Sequence, residues 1–145
     1  MKFLILFLLL LIPIVAHAQT AREQMKTEAE ILEVMDAQVA AWNRGDVEGF
    51  MRGYWNSEHL TFVSGDTVTR GWQPTLDRYK KNYATKEKMG ALKFSDVEVK
   101  QLSKDAAMVL GSWSLTRTGD SPKGKFTLLF RKLKEGWRIV HDHTS

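Results

Sequence analysis

The chain has 145 residues, a net charge of +4 and no cysteine. Such a length suits one compact domain with a real core, and the missing cysteines exclude a disulfide-stapled scaffold, so packing must supply the stability. The positive excess is small and spread out, which excludes the basic stripe of a nucleic-acid binder; Lys80, Lys81, Lys86 and Lys88 form its only dense cluster, suited to a solvated helix end and loop or to an anionic partner.

Met1-Lys2 followed by the apolar run Phe3–Val15 and the small-x-small site Ala16-His17-Ala18 reads as a secretory signal peptide, residues 1–18, cut before Gln19. The apolar run is shorter than the roughly 20 residues of a membrane span. The expected product is exported, periplasmic or secreted, with no membrane attachment after cleavage. Residues 19–26 are polar and expected to be a disordered N-terminus, leaving residues 27–145 as a single domain.

Thr27-Glu28-Ala29-Glu30 is a capping box that predicts a helix start, and Ile31, Leu32, Met35, Val39 and Trp42 follow at helical spacing. Gly45 is placed to end that helix and Asp46 to cap a short second one, with Val47, Phe50, Met51 and Tyr54 inward. His59–Val63 and Thr67–Arg70 flank Ser64-Gly65-Asp66 as a β-hairpin. Pro74 suits the first turn of a third helix, Pro74–Ala84, whose inward stripe is Leu76, Tyr79 and Tyr83; Thr85–Met89 reads as a lysine-rich loop. Ala91–Leu102, Ala106–Thr118, Lys123–Leu133 and Trp137–Thr144 then form a four-stranded antiparallel meander with turn-forming connections. This order predicts an α+β fold, a cone-shaped curved antiparallel sheet wrapped over a long N-terminal helix and two shorter ones. The mouth of such a cone is a natural small-molecule pocket.

Trp42-Asn43-Arg44-Gly45-Asp46, Arg70-Gly71, Gly136-Trp137-Arg138-Ile139-Val140 and the closing His141-Asp142-His143-Thr144-Ser145 resemble the nuclear-transport-factor-2-like superfamily, in its SnoaL-like branch of domains of unknown function (the domain of unknown function 4440 type). The resemblance covers about residues 27–145 and implies the cone fold; the fold hosts isomerases, cyclases, dehydratases, binding modules and assembly domains, so it implies no single activity. In the ketosteroid isomerases of the superfamily an aspartate base, a tyrosine on the first helix and a protonated aspartic acid do the chemistry. The matching positions here are Val63-Ser64, Gln38 and Thr127-Leu128, none with the required group, and the nearest carboxylate to the base position, Asp66, is expected in a solvated hairpin tip.

Alternation along the last strand puts His141 and His143 on one face with Trp137 and Ile139, read as the inner face because Arg138 and Asp142 suit solvent. His143 and His141 are therefore the catalytic candidates, as base beside Tyr54 or Tyr79 as donor, against the alternative of structural histidines near the sheet end. Trp42, Tyr54, Trp55, Tyr79, Tyr83 and His143 are the expected ligand-binding residues, since buried Tyr and Trp bring polar handles to an apolar surface. The His141-x-His143 pair invites a metal reading, but only His59 remains as another histidine and the carboxylates are mostly on predicted surfaces, so no metal is expected. No cofactor is expected either, since no phosphate-cradling loop or dinucleotide fingerprint occurs, and no nucleophile elbow is present. Arg70 and Arg117 are candidates to meet an acidic ligand or to pair with surface carboxylates. Val109, Trp113, Leu115 and Leu129 are expected on the outer sheet face, as the contact of a homodimer. Three functions remain open at this point: a binder of a small, partly apolar molecule; an isomerase, dehydratase or hydrolase using a pocket histidine; and a dimerising assembly domain without ligand.

Overall fold

The structure, a computed structural model, describes residues 12–145, with side chains from Thr20 onward. Most of the expected signal segment, including its charged start, lies outside the described residues. The described chain folds as α1 (Ile12–Asn43), α2 (Val47–Met51), β1 (Thr61–Ser64), β2 (Thr67–Arg70), α3 (Trp72–Asn82), α4 (Lys86–Met89), β3 (Ala91–Ser103), β4 (Ala106–Thr116), β5 (Lys123–Leu133) and β6 (Gly136–Thr144). The six strands form one sheet in the order β2-β1-β6-β5-β4-β3. All pairs are antiparallel except β1 with β6, which run parallel.

Helix α1 does not start at the capping box. It runs through residues 19–26, because Gln, Ala, Arg, Glu, Met and Lys are good helix formers and nothing among them stops a helix. Residues 20–26 are all exposed, and the buried face begins at Thr27. Ile31, Met35, Gln38 and Trp42 then recur at helical spacing against the sheet. Burying a side chain such as Ile31, fully inaccessible, is worth about 1.5–3 kcal/mol relative to leaving it in water.

The Trp42–Asp46 stretch is a set of fastenings. Trp42 Nε1 donates to the Met89 carbonyl at 3.1 Å. Asn43 donates from Nδ2 to the Leu92 carbonyl and accepts the Leu92 N–H at 2.7 Å, so one carboxamide fixes the helix against β3. Gly45, at φ +86°, makes the left-handed turn that ends α1. Asp46 accepts the Gly49 N–H at 2.6 Å and pairs with Arg44 at 2.8 Å, as expected of a helix cap.

Helix α3 starts two residues before the expected position, and Thr85–Met89, expected as a loop, closes into the one-turn helix α4, capped by Thr85. In β4, Val109 and Leu115 are buried and Trp113 lines the interior, so three of the four residues expected outside face inward. Their neighbours Met108 and Leu110, with Leu129 of β5, occupy the outer face instead. Composition alone does not say which parity of an alternating strand is the inner one; the packed helix decides it.

The strand that holds the site is β6. It pairs with β5 at Phe130↔Ile139 and then at Leu129↔His141, so Val140 is an extra residue, a β-bulge. Before the bulge Trp137 and Ile139 are buried; after it the buried residue is Asp142. The bulge sits where β6 changes neighbours. Ile139 forms a bridge to Tyr54, accepting from Trp55 N–H and donating to the Gly53 carbonyl, and β1 takes over from His141.

Candidate functional site

The sheet curls over α1 and leaves a cavity of about 130 Å³. Its deep walls are aromatic and aliphatic, with Trp42 of α1, Phe50 of α2, Phe62 of β1 and Leu128 of β5 among them. Toward the mouth stand Ser64, Arg78, Asn82 and Trp113, each partly or fully exposed. Arg78 lies 5.1 Å over the Phe62 ring and donates to Thr69 Oγ1 at 3.0 Å, which holds a cation at the rim. The walls are tightly interlocked: Trp42 meets Phe50, Tyr79 and Tyr83 edge-on with ring centroids 5.1, 6.0 and 4.8 Å away.

Four of the six expected ligand-binding residues, Trp42, Tyr54, Tyr79 and Tyr83, line this cavity. Trp55 does not. Tyr54 is in a bridge to Ile139, and in extended backbone consecutive side chains point opposite ways, so Trp55 turns outward to the His59 ring. His143 does not line it either, and neither does His141. The Val140 bulge shifts every later side chain by one position, so both histidines leave the inner face and Asp142 and Thr144 replace them. The expected inward placement of His141 and His143 is therefore corrected: both lie off the cavity, and Asp142, expected toward solvent, is the residue inside.

Asp142 is 4 % exposed. The Tyr54 hydroxyl donates to its Oδ2 at 2.6 Å, while Oδ1 is buried with no hydrogen-bond partner. Burial strips water from the anion and pushes the Asp142 carboxyl up to about 7, against the opposing pull of the Tyr54 hydrogen bond. Tyr79 is the third member, its hydroxyl beside that of Tyr54. Burial, with the nearby Asp142 charge, raises both phenols far above the ordinary tyrosine range, so both remain neutral donors. The site thus offers an apolar chamber with a carboxyl–phenol–phenol cluster on one wall and one unspent carboxyl oxygen.

Gln38 is also buried and lines the cavity, its Nε2 donating to the Phe50 carbonyl at 3.1 Å. It stands where the resemblance puts the isomerase tyrosine, and Ser64 and Leu128 line the cavity near the other two positions. The acid of this site lies on β6 instead. One sequence signal pointed to it: the apolar doublet Ile139-Val140 interrupts an otherwise alternating strand, as a bulge does.

A SnoaL-like domain model matches residues 31–145. The chain belongs to the SnoaL-like family. Its fold matches an NTF2-like protein of unknown function from Shewanella oneidensis MR-1 at TM-score 0.78 and 46% identity, over 81% of this chain and 98% of that one. An NTF2-like superfamily protein from Salmonella enterica serovar Typhimurium LT2 matches at TM-score 0.68 and 21% identity, over 84% and 92%. A provisionally named scytalone dehydratase from Novosphingobium aromaticivorans DSM 12444 matches at TM-score 0.68 and 11% identity, over 86% of each chain, a likeness of fold alone. No curated protein matches the chain.

Proposed function

We propose that this SnoaL-like domain binds a small, partly apolar molecule in its cone, with a polar group of the ligand completing the hydrogen bonding of Asp142. The observation that carries the reading is the buried, partnerless Oδ1 of Asp142 at an apolar cavity, since a buried polar atom left unpaired costs about 1–3 kcal/mol that a ligand can recover. A cavity of about 130 Å³ is close to the roughly 150 Å³ that admits benzene, so the buried part of the ligand is about one ring. A hollow cone favours this reading over an assembly domain with a filled interior.

The test is a panel of single-ring phenols, ketones and carboxylic acids followed by tryptophan fluorescence, because Trp42 and Trp113 both line the cavity. A saturable response that weakens at least tenfold in Asp142→Ala is expected. A panel without response, or a response unchanged by that substitution, would reject the reading.

A second reading is catalytic. A carboxyl titrating near neutrality can both give and take a proton, and Asp142 is poised there with Tyr54 and Tyr79 as neutral donors. Isomerisation or dehydration of the bound molecule is the chemistry that suits one acid–base carboxyl without a nucleophile. Turnover of a bound panel member with a pH profile breaking near 7, abolished in Asp142→Asn, distinguishes this reading from binding alone. Export of the domain, with residues 1–18 removed, is part of the proposal; a mass spectrum of the protein recovered from its host should begin at Gln19.

A further inference from the structure

A second cleft opens where α1, α2 and β6 meet, with a volume of about 390 Å³. Three arginines line it, Arg44, Arg52 and Arg138, and none of its other lining residues carries a charge. The carboxylate paired with one of them is Asp46, held ionised first by the Gly49 N–H and then by Arg44. That carboxylate is committed to Arg44 at 2.8 Å. Arg52 acts on it only through space, and Arg138 spends one N–H on the Trp137 carbonyl at 2.7 Å. Neither Arg52 nor Arg138 has a carboxylate within ion-pair distance among the described residues. Of the arginines outside the cleft, Arg117 pairs with Asp120 and Arg131 with Asp105.

The floor of the cleft is cut to fit. A Cβ at Gly49 would lie 2.2 Å from Asp46 Oδ2 and 3.0 Å from Arg44 Nη2, and one at Gly53 would lie 2.5 Å from the Gln38 side chain. Glycine at 49 leaves room for the Asp46 cap and the Arg44 guanidinium, and glycine at 53 lets the chain just after α2 pass close to Gln38 of α1. Like charges gathered in this way repel one another, and a bound anion converts the repulsion to attraction. Guanidinium forks match the paired oxygens of phosphate in particular. With three positive charges against one negative, the unmatched charge is that of a dianion, and the volume leaves room for more than the bare ion.

We infer that the Arg44–Arg52–Arg138 cleft is a binding site for the phosphate group of a small phosphomonoester, distinct from the cone. Gln38 lines both cavities, so the two sites share one side chain as a wall. The phosphate could be carried by a soluble ester or by a lipid headgroup, and the two sources separate experimentally.

Inorganic phosphate and glycerol 1-phosphate are titrated into the intact protein by calorimetry, against sodium chloride at matched ionic strength to remove plain screening. Vesicles of phosphatidic acid in phosphatidylcholine form a second arm, read by co-sedimentation. Saturable binding of a soluble probe is expected, weakened at least tenfold in Arg52→Gln and in Arg138→Gln and unchanged in the exposed control Lys104→Gln. Vesicle binding without soluble binding, lost in Arg52→Gln, assigns the same chemistry to a headgroup. Binding of neither probe beyond the chloride control, or binding that survives both substitutions, overturns the inference. The Arg52 side chain is exposed and holds no other element of the fold in place, so its variant stays folded and the test remains decisive.

Discussion

Asp142 puts a cost into the fold that can be read from pH. An unfolded chain loses this proton near pH 4, whereas the native carboxyl holds it to about 7. Between those values the native state binds more protons than the unfolded one, so stability falls as pH rises from about 4 to about 7 and stays low above that. Across that interval the loss amounts to roughly 4 kcal/mol at most. The carboxylates of Glu30, Asp46 and Asp105 are shifted the other way, so their contributions are lost only in acid, below the window. Thermal midpoints from pH 5 to pH 8 should therefore decline in the wild type and be much flatter in Asp142→Asn; a flat wild-type profile would show that Asp142 titrates normally. The hydroxyl of Tyr54 makes a second, separable contribution. Tyr54→Phe leaves both Asp142 oxygens without a partner, which should cost about 1–3 kcal/mol in a urea melt at pH 6 and move the carboxyl titration, followed by its infrared band, still higher.

Among the elements, β6 decides what the cavity contains. Its hydrophobic pattern and its place beside β5 were legible from Trp137 onward, one residue inside its observed start at Gly136, and so was the inward course of Trp137 and Ile139. Periodicity fails at Val140 because a single inserted residue reverses everything beyond it, and His141 and His143 change places with Asp142. Deleting Val140 should restore plain alternation, turn Asp142 out and the histidines in, and abolish the near-neutral carboxyl titration. The expected signature is loss of the infrared band shift together with altered histidine ring resonances; persistence of both would mean that the bulge does not aim Asp142. Helix α1 answers to a different control. Asn43→Ala removes both hydrogen bonds to Leu92, with an expected loss of about 1–3 kcal/mol that a denaturant titration measures directly.

At the scale of the whole molecule, one sheet serves two environments. Its inner face closes on α1, and its outer face presents Met108 and Leu110 of β4 and Leu129 of β5 beside His141 and His143 of β6. Leu110 is 41 % exposed there, beside the half-buried Met108 and Leu129. We propose that this face joins two copies of the chain. Sedimentation equilibrium should give a dimer for the wild type and a monomer for Leu110→Asp, since a buried, unpaired carboxylate at a two-fold contact is repelled by its own copy. A monomeric wild type would remove the proposal.

Local chemistry alone determined a good deal about this protein. The capping of α2 by Asp46, the turn at Gly45, the positions of the four long strands and the inward stripe of Leu76, Tyr79 and Tyr83 all follow from side-chain periodicity and backbone preference, which act over a few residues. Four pocket residues, Trp42, Tyr54, Tyr79 and Tyr83, could be named for the same reason. Tertiary structure decided the inner parity of β4, the bulge in β6, the burial of Asp142 and the gathering of Arg44, Arg52 and Arg138, which come from three separate stretches of the chain. Each of these depends on which distant segment packs against which face, and no spacing within one segment carries that information.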